Sequence, residues 1–260
     1  MGDLGLLRDR LSALDSVVVA FSGGADSAFL AWMANDVLGP GRALAVTAVS
    51  PSLAPEERAD CEALAREWGL RWSAVFTDEL ADPAYSANDG ERCYHCKTSL
   101  MDALAGFDGV VALGVNVDDL GDHRPGQRAA AERGAVFPLV DAGFTKSDVR
   151  AASRELGLRT WDKPAAACLA SRVPYGTPVT FGVLSSVAAA ESGLRSLGLR
   201  QVRVRHYGDL ARIEVEAGEL AAAVARREDI VAAVKAAGYR YVTLDLEGFR
   251  SGNLNQALGD

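Results

Sequence analysis

Nowhere in the 260 residues do about eighteen apolar side chains stand together, so no segment reads as a helix that crosses a bilayer. The opening Met1-Gly2-Asp3-Leu4 lacks a basic stretch followed by an apolar run, so a soluble, cytoplasmic protein is expected and no membrane partner. Basic residues are in deficit: 27 Lys and Arg face 35 Asp and Glu, a net charge of −8. That balance repels a long phosphate backbone and argues against a nucleic-acid partner. His95, His123 and His206 have no ligand-like spacing and receive no role. Two common nucleotide patterns are missing, Gly-x-x-x-x-Gly-Lys-Ser/Thr and Gly-x-Gly-x-x-Gly, so neither kinase-like transfer nor dinucleotide binding is supported. There is no internal repeat, and the Ala-rich stretches are helix formers rather than low-complexity sequence. Cysteine is sparse, at 61, 93, 96 and 168, and without a secretion signal such a set points to thiol chemistry or metal ligation before a disulfide framework.

What is present suffices for a buried core, since 49% of residues are hydrophobic. Val17-Val18-Val19-Ala20-Phe21 is a short apolar, β-branched run ending in a glycine turn, the pattern of a strand covered on both faces. From Ser27 to Leu38 apolar residues recur at helical spacing until Gly39-Pro40-Gly41 stops the segment. Further strands are expected over 43–49, 71–76 and 109–114, with helices over 55–68 and around 98–104. A helix after Lys146, capped by Ser147, should run to Leu156. The alternation predicts an α/β fold with a doubly wound parallel sheet, whose ligands sit at the carboxyl ends of the strands. Beyond a loop over 161–178 the pattern becomes helix 181–197, strands 200–206 and 211–216, a helical stretch to 237 and strand 240–246. This predicts two domains, 1–175 for the nucleotide and 176–260, a smaller C-terminal α+β domain for substrate binding and oligomerisation.

Ser22-Gly23-Gly24-Ala25-Asp26-Ser27 leaves the end of the first strand and opens a helix. Its bare backbone lets phosphate oxygens approach while the helix aims its positive end at them. The hexapeptide resembles the PP-loop of ATP pyrophosphatases, whose fold this implies. By that resemblance Ser22, Gly23, Gly24 and Ser27 hold pyrophosphate, and Asp26 lies near the Mg2+ that accompanies ATP. The plain alternative is a glycine turn capped by Ser22.

Cys93 and Cys96 form a Cys-x-x-Cys that can chelate one metal or cluster, with Arg92 and Lys97 beside it to favour thiolate. Lys97 is also a candidate cation for ATP. No second Cys-x-x-Cys or paired histidine completes a tetrahedral zinc site. With Cys168, three cysteines suit a [4Fe-4S] cluster with one open iron. The alternative is a redox pair or small buried hydrophobes, the reading adopted for Cys61.

Leu113-Gly114-Val115-Asn116-Val117-Asp118-Asp119, Arg124-Pro125-Gly126, Thr145-Lys146 and Ala167-Cys168-Leu169-Ala170-Ser171-Arg172 resemble the LarE family. The likeness continues through His206 to Val215 and Tyr241 to Gly252. It implies an ATP-dependent sulfur transferase that turns the carboxylates of a pyridinium biscarboxylic acid mononucleotide into thiocarboxylates for the nickel-pincer cofactor of lactate racemase. A carboxylate is a poor electrophile, so ATP first makes an acyl adenylate, releasing pyrophosphate, and sulfur then displaces AMP. The resemblance places sulfur delivery on Cys168. Family members either sacrifice that cysteine to dehydroalanine or hold a [4Fe-4S] cluster on three cysteines, and Cys93 and Cys96 put this chain with the cluster group. Arg172, Arg203 and Arg205 become candidate cations for the substrate's carboxylates and phosphate, Glu191 a metal or substrate contact, and Asp118 and Asp119 contacts to magnesium or ribose, the alternative being loop caps. Sulfide or another sulfur donor and a homo-oligomer are expected from the family alone. Competing readings are another PP-loop enzyme, either an amidating synthetase such as NAD synthase or a tRNA-thiolating enzyme, and a module that senses ATP without spending it.

Overall fold

Val17 and Val19 enter one apolar cluster while Val18, between them, enters another, as the two-residue period of a strand covered on both faces requires. This strand, β1 (Val17–Ala20), belongs to a four-stranded sheet in the computed structural model, which describes residues 2–121, 125–164 and 167–250. Its companions β2 (Ala43–Val49), β3 (Trp72–Phe76) and β4 (Val110–Leu113) all run parallel, in the order β3-β2-β1-β4. Leu7 and Leu11 of the helix Leu4–Ser12, Phe29, Leu30 and Met33 of Ala25–Leu38, and Val149 of Lys146–Glu155 fill the first cluster. Leu104, closing the helix Arg92–Leu104, packs with Val18 in the second. The chain steps outward from β1 to β3 and returns on β1's other side as β4. The carboxyl ends of β1 and β4 therefore border the topological switch point where such sheets bind ligands.

The α/β class and parallel sheet follow the sequence pattern, and two helix starts refine it. Thr145, not Ser147, caps Lys146–Glu155: its hydroxyl accepts from the Asp148 N–H while the Asp148 carboxylate accepts from the Thr145 N–H, a reciprocal capping box. The helix Leu4–Ser12, capped by Asp3, was not anticipated.

The chain divides into two units, Met1–Glu79 with Cys93–Ala166, and Leu80–Arg92 with Ala167–Asp260. In the second, the helix Phe181–Ser196 packs on antiparallel β5 (Val202–Tyr207) and β6 (Leu210–Val215), and β7 (Tyr241–Leu244) joins β6 in parallel. Ala190, Leu194, Val204, Ile213 and Val234 form its core. Residues 80–92 belong here because Asn88, fully buried, donates from Nδ2 to the carbonyls of Pro174 (2.8 Å) and Thr177 (2.7 Å). Val179 N–H adds a bond to the Ser86 carbonyl at 2.9 Å. Among the described residues no helix is long and apolar enough to cross a membrane. His123, Arg124, Ser251 and Gly252 lie outside the described residues.

Candidate nucleotide and sulfur site

Beyond β1 the chain turns through Ser22-Gly23-Gly24 and enters Ala25–Leu38 with Gly24 as the N-cap, which has no side chain to occupy the first N–H groups of the helix. A methyl group built on Gly24 would meet only Ser22 Oγ, at 3.5 Å, so the space before these donors is open. Unoccupied donors at the positive end of a fourteen-residue helix form a seat for an anion. The loop is braced from within. Ser27 Oγ donates to the Gly24 carbonyl (3.2 Å), lies 3.0 Å from Ser22 Oγ and accepts from the Ser22 N–H (3.2 Å). Beneath, Trp72 Nε1 donates to Thr47 Oγ1 (2.9 Å), which donates to the Phe21 carbonyl (2.7 Å).

The end of β4 closes the other side. A methyl group on Gly114 would fall 2.7 Å from the Ser27 nitrogen, so only glycine lets this strand end approach the helix so closely. Asp26, in the helix's first turn, has a raised pKa, from burial and the neighbouring Asp119 carboxylate, against the pull of Asn116, Lys146 and Arg150. Asp119 is buried, pairs with Lys146 Nζ at 3.0 Å and accepts from the Asn116 N–H at 3.2 Å. Asp118 instead accepts from the Lys146 N–H at 2.8 Å, so this carboxylate serves the start of the helix Lys146–Glu155. Two mutually repelling carboxylates beside a phosphate seat are the donor set that magnesium uses, since that ion takes one or two carboxylates together with phosphate oxygens and water.

Cys93 and Cys96 stand one turn apart in Arg92–Leu104, hence on one face, and Cys93 is exposed. Gly126 packs against the Cys93 carbonyl and Lys97 Cβ. Arg92 is buried in the second unit, bonded to Asn88 Oδ1 and to the Ala170 carbonyl, its guanidinium 5.5 Å from the Tyr175 ring centre. Cys168, also exposed, precedes the short 3-10 turn Leu169–Arg172. Three thiols outside any disulfide, Cys93 and Cys168 exposed and Cys96 half-buried, are the right donors for a cluster, yet among the described residues no group of three or more metal-ligating side chains is gathered. Cys61 is core: it is fully buried, and burial pushes its thiol up to about 11.

The arginines of the second unit have protein partners. Arg172, 2% exposed, forms a two-pronged pair with fully buried Glu191 (2.8 and 3.0 Å) and donates to the Ala167 (2.6 Å) and Cys168 (3.0 Å) carbonyls, tying down the cysteine loop. Glu191, expected as a metal or substrate contact, also accepts from Arg195 and from the Val204 N–H, which makes it an ion-pair hub. Burial alone would raise its pKa, but these partners, Arg172 foremost, lower it. Arg205 forks onto Glu214 (2.9 and 2.8 Å) and donates to the Ser171 carbonyl at 2.8 Å. Arg203 stacks its guanidinium 5.3 Å from the Phe249 ring centre, and burial, with Arg172 adding repulsion, lowers its pKa to about 10. Its guanidinium also donates to the Val202 carbonyl at 3.2 Å.

The sequence reading passed over Lys146, Arg150 and Lys163. Arg150 donates to the Trp161 and Lys163 carbonyls (both 2.9 Å), and Lys163 Nζ donates to the Gly23 carbonyl (3.1 Å) and to Glu57 and Asp60 (both 2.7 Å). Only Thr145-Lys146, among the resembling motifs, had marked this region.

A family model described as NAD synthase matches residues 7–92, the stretch holding β1 to β3 and the loop. An uncharacterised protein of Synechocystis is 46% identical over 97% of this chain and 96% of its own length. One from Methanocaldococcus jannaschii is 28% identical over 90% of this chain and 91% of its own length. The pyridinium-3,5-bisthiocarboxylic acid mononucleotide synthase of Lactiplantibacillus plantarum is 40% identical, covering 95% of this chain and 92% of that enzyme. With a phosphate seat of PP-loop form and a likeness of this extent to a synthase, the chain belongs to the LarE family.

Proposed function

We propose that this protein is an ATP-dependent sulfur transferase acting on pyridinium-3,5-biscarboxylic acid mononucleotide. The open, uncapped helix start at Gly24, with Asp26 in its first turn, carries the reading, because it suits a departing pyrophosphate and its magnesium. A substrate carboxylate oxygen attacks the α-phosphorus of ATP, the bond to the β-phosphate breaks and pyrophosphate leaves toward the loop. A sulfur nucleophile then adds to the acyl carbon, and AMP departs with both electrons of its carbon–oxygen bond. Ser22, Gly23, Gly24 and Ser27 hold pyrophosphate, Asp26 and Asp119 the magnesium, Lys97 supplies a further cation, and Arg203 meets a substrate anion. Arg172 and Arg205 set the loop that bears Cys168.

Cys93, Cys96 and Cys168 handle the sulfur in this reading. Their thiols, two exposed and one half-buried, support a [4Fe-4S] cluster by donor type. The cytoplasmic setting, a homo-oligomeric state and sulfide or another donor as source rest on the family. With ATP and the pyridinium mononucleotide, equimolar AMP and pyrophosphate are expected by chromatography, and ADP in their place overturns the reading.

A further inference from the structure

Lys163 lies far along the chain from the PP-loop, yet its ammonium ends on that loop. An ammonium has three N–H donors, and three acceptors surround this one: the Gly23 carbonyl at 3.1 Å, Glu57 Oε2 at 2.7 Å and Asp60 Oδ2 at 2.7 Å. With its donors satisfied and two carboxylates against it, Lys163 has no charge to spare for a phosphate. Burial would lower its pKa, but the Asp60 and Glu57 bonds raise it, which keeps the donor charged. Arg150, bonded to the carbonyls of Trp161 and Lys163, fixes the segment that carries it.

We infer that Lys163 is a positioning residue that sets the PP-loop for pyrophosphate. The Gly23–Gly24 peptide is trans, so its carbonyl and its N–H point to opposite sides. A carbonyl held by Lys163 turns the Gly24 N–H away, toward the open helix start. Gly23, at φ +70, packs so close to Cys61 that a methyl group there would lie 2.9 Å from its Sγ. The loop thus has the glycine freedom to flip this peptide, and Lys163 opposes the flip, which would aim a carbonyl oxygen at the anion.

The inference rests on the loop reading above, and calorimetric titration of inorganic pyrophosphate with magnesium separates the two. No binding to the unaltered protein defeats the loop reading itself, and this inference with it. If the unaltered protein binds, Lys163→Met is expected to weaken pyrophosphate about tenfold, as loss of a charged hydrogen bond that orients the seat. Arg159→Met, which removes the other cation on Asp60 (2.6 Å) without touching the loop, should leave the affinity unchanged. Equal affinity in Lys163→Met, or an equal loss in both variants, overturns the inference. Should Lys163→Met fail to fold, the Glu57→Gln, Asp60→Asn double variant decides it. A loosened ammonium weakens pyrophosphate if it positions the loop, and unchanged or tighter binding refutes that role.

Discussion

Gly23 and Gly24 are neighbours with opposite reasons for being glycine, and substitution tells them apart. At Gly23 the backbone sits at φ +70, where an L side chain costs about 1–2 kcal/mol, and the added methyl also presses to 2.9 Å on buried Cys61. Gly23→Ala is therefore expected to lose about 2 kcal/mol of stability or more, read as a lower midpoint in urea. Gly24 has φ −71 and ψ 159, open to any residue, and its methyl direction is free apart from an ordinary contact with Ser22 Oγ. Gly24→Val should keep the unfolding free energy, read from urea titration, within about 0.5 kcal/mol of the unaltered protein, helped by the smaller entropy of its unfolded chain. The same side chain fills the space before the helix N–H groups, so AMP formation should fall by about a hundredfold or more. A stability assay and a coupled pyrophosphate assay on the two variants suffice. Gly24→Val with normal pyrophosphate release would mean that the anion seats elsewhere.

Asp26→Asn should abolish adenylation yet raise thermal stability at neutral pH. The folded-state pKa of Asp26 lies above its unfolded value, so its ionised form opposes folding, and the melting-temperature gain of the variant should grow as pH rises through that raised pKa and then level off. Glu191→Gln should destabilise the protein by about 3 kcal/mol, because Arg172 then loses its buried partner. The lowered Glu191 pKa gives the reverse pH sense: its contribution is present above the unfolded carboxylate pKa and is lost as pH falls through the folded one, so acid unfolding of the variant should begin from a lower plateau. Iron and acid-labile sulfide, measured on protein purified without oxygen, should fall in each of Cys93→Ala, Cys96→Ala and Cys168→Ala and persist in Cys61→Ala. Loss of one sulfur and two hydrogens from Cys168 during turnover would exclude the cluster.

The first unit was legible because its information is local. Three consecutive valines announce a doubly covered strand, and a glycine hexapeptide between strand and helix announces a phosphate seat. Cys61 was placed correctly from its helical position alone. The cap at Thr145 was missed in favour of Ser147, although the Thr-x-x-Asp spacing of a capping box was present. Lys163 was not legible, for its partners lie 103 to 140 residues away, and no periodicity encodes such a meeting. Arg172 and Glu191 show another limit of a local reading. Residue type suggested ligand contacts, and the pairing of a turn arginine with a helix glutamate nineteen residues on, which no local pattern encodes, buried both.

Asn88 gives the chain a topology with consequences for its modularity. Its side chain fastens residues 80–92 to a unit whose remaining sequence starts only at Ala167. No single cut therefore separates the two units. A chimera that grafts a relative's C-terminal half onto this N-terminal half inherits a foreign partner for Asn88, and a faithful exchange needs two crossovers within the first hundred residues as well as one after the nucleotide unit. Recombination that preserves both cores should respect that three-point boundary.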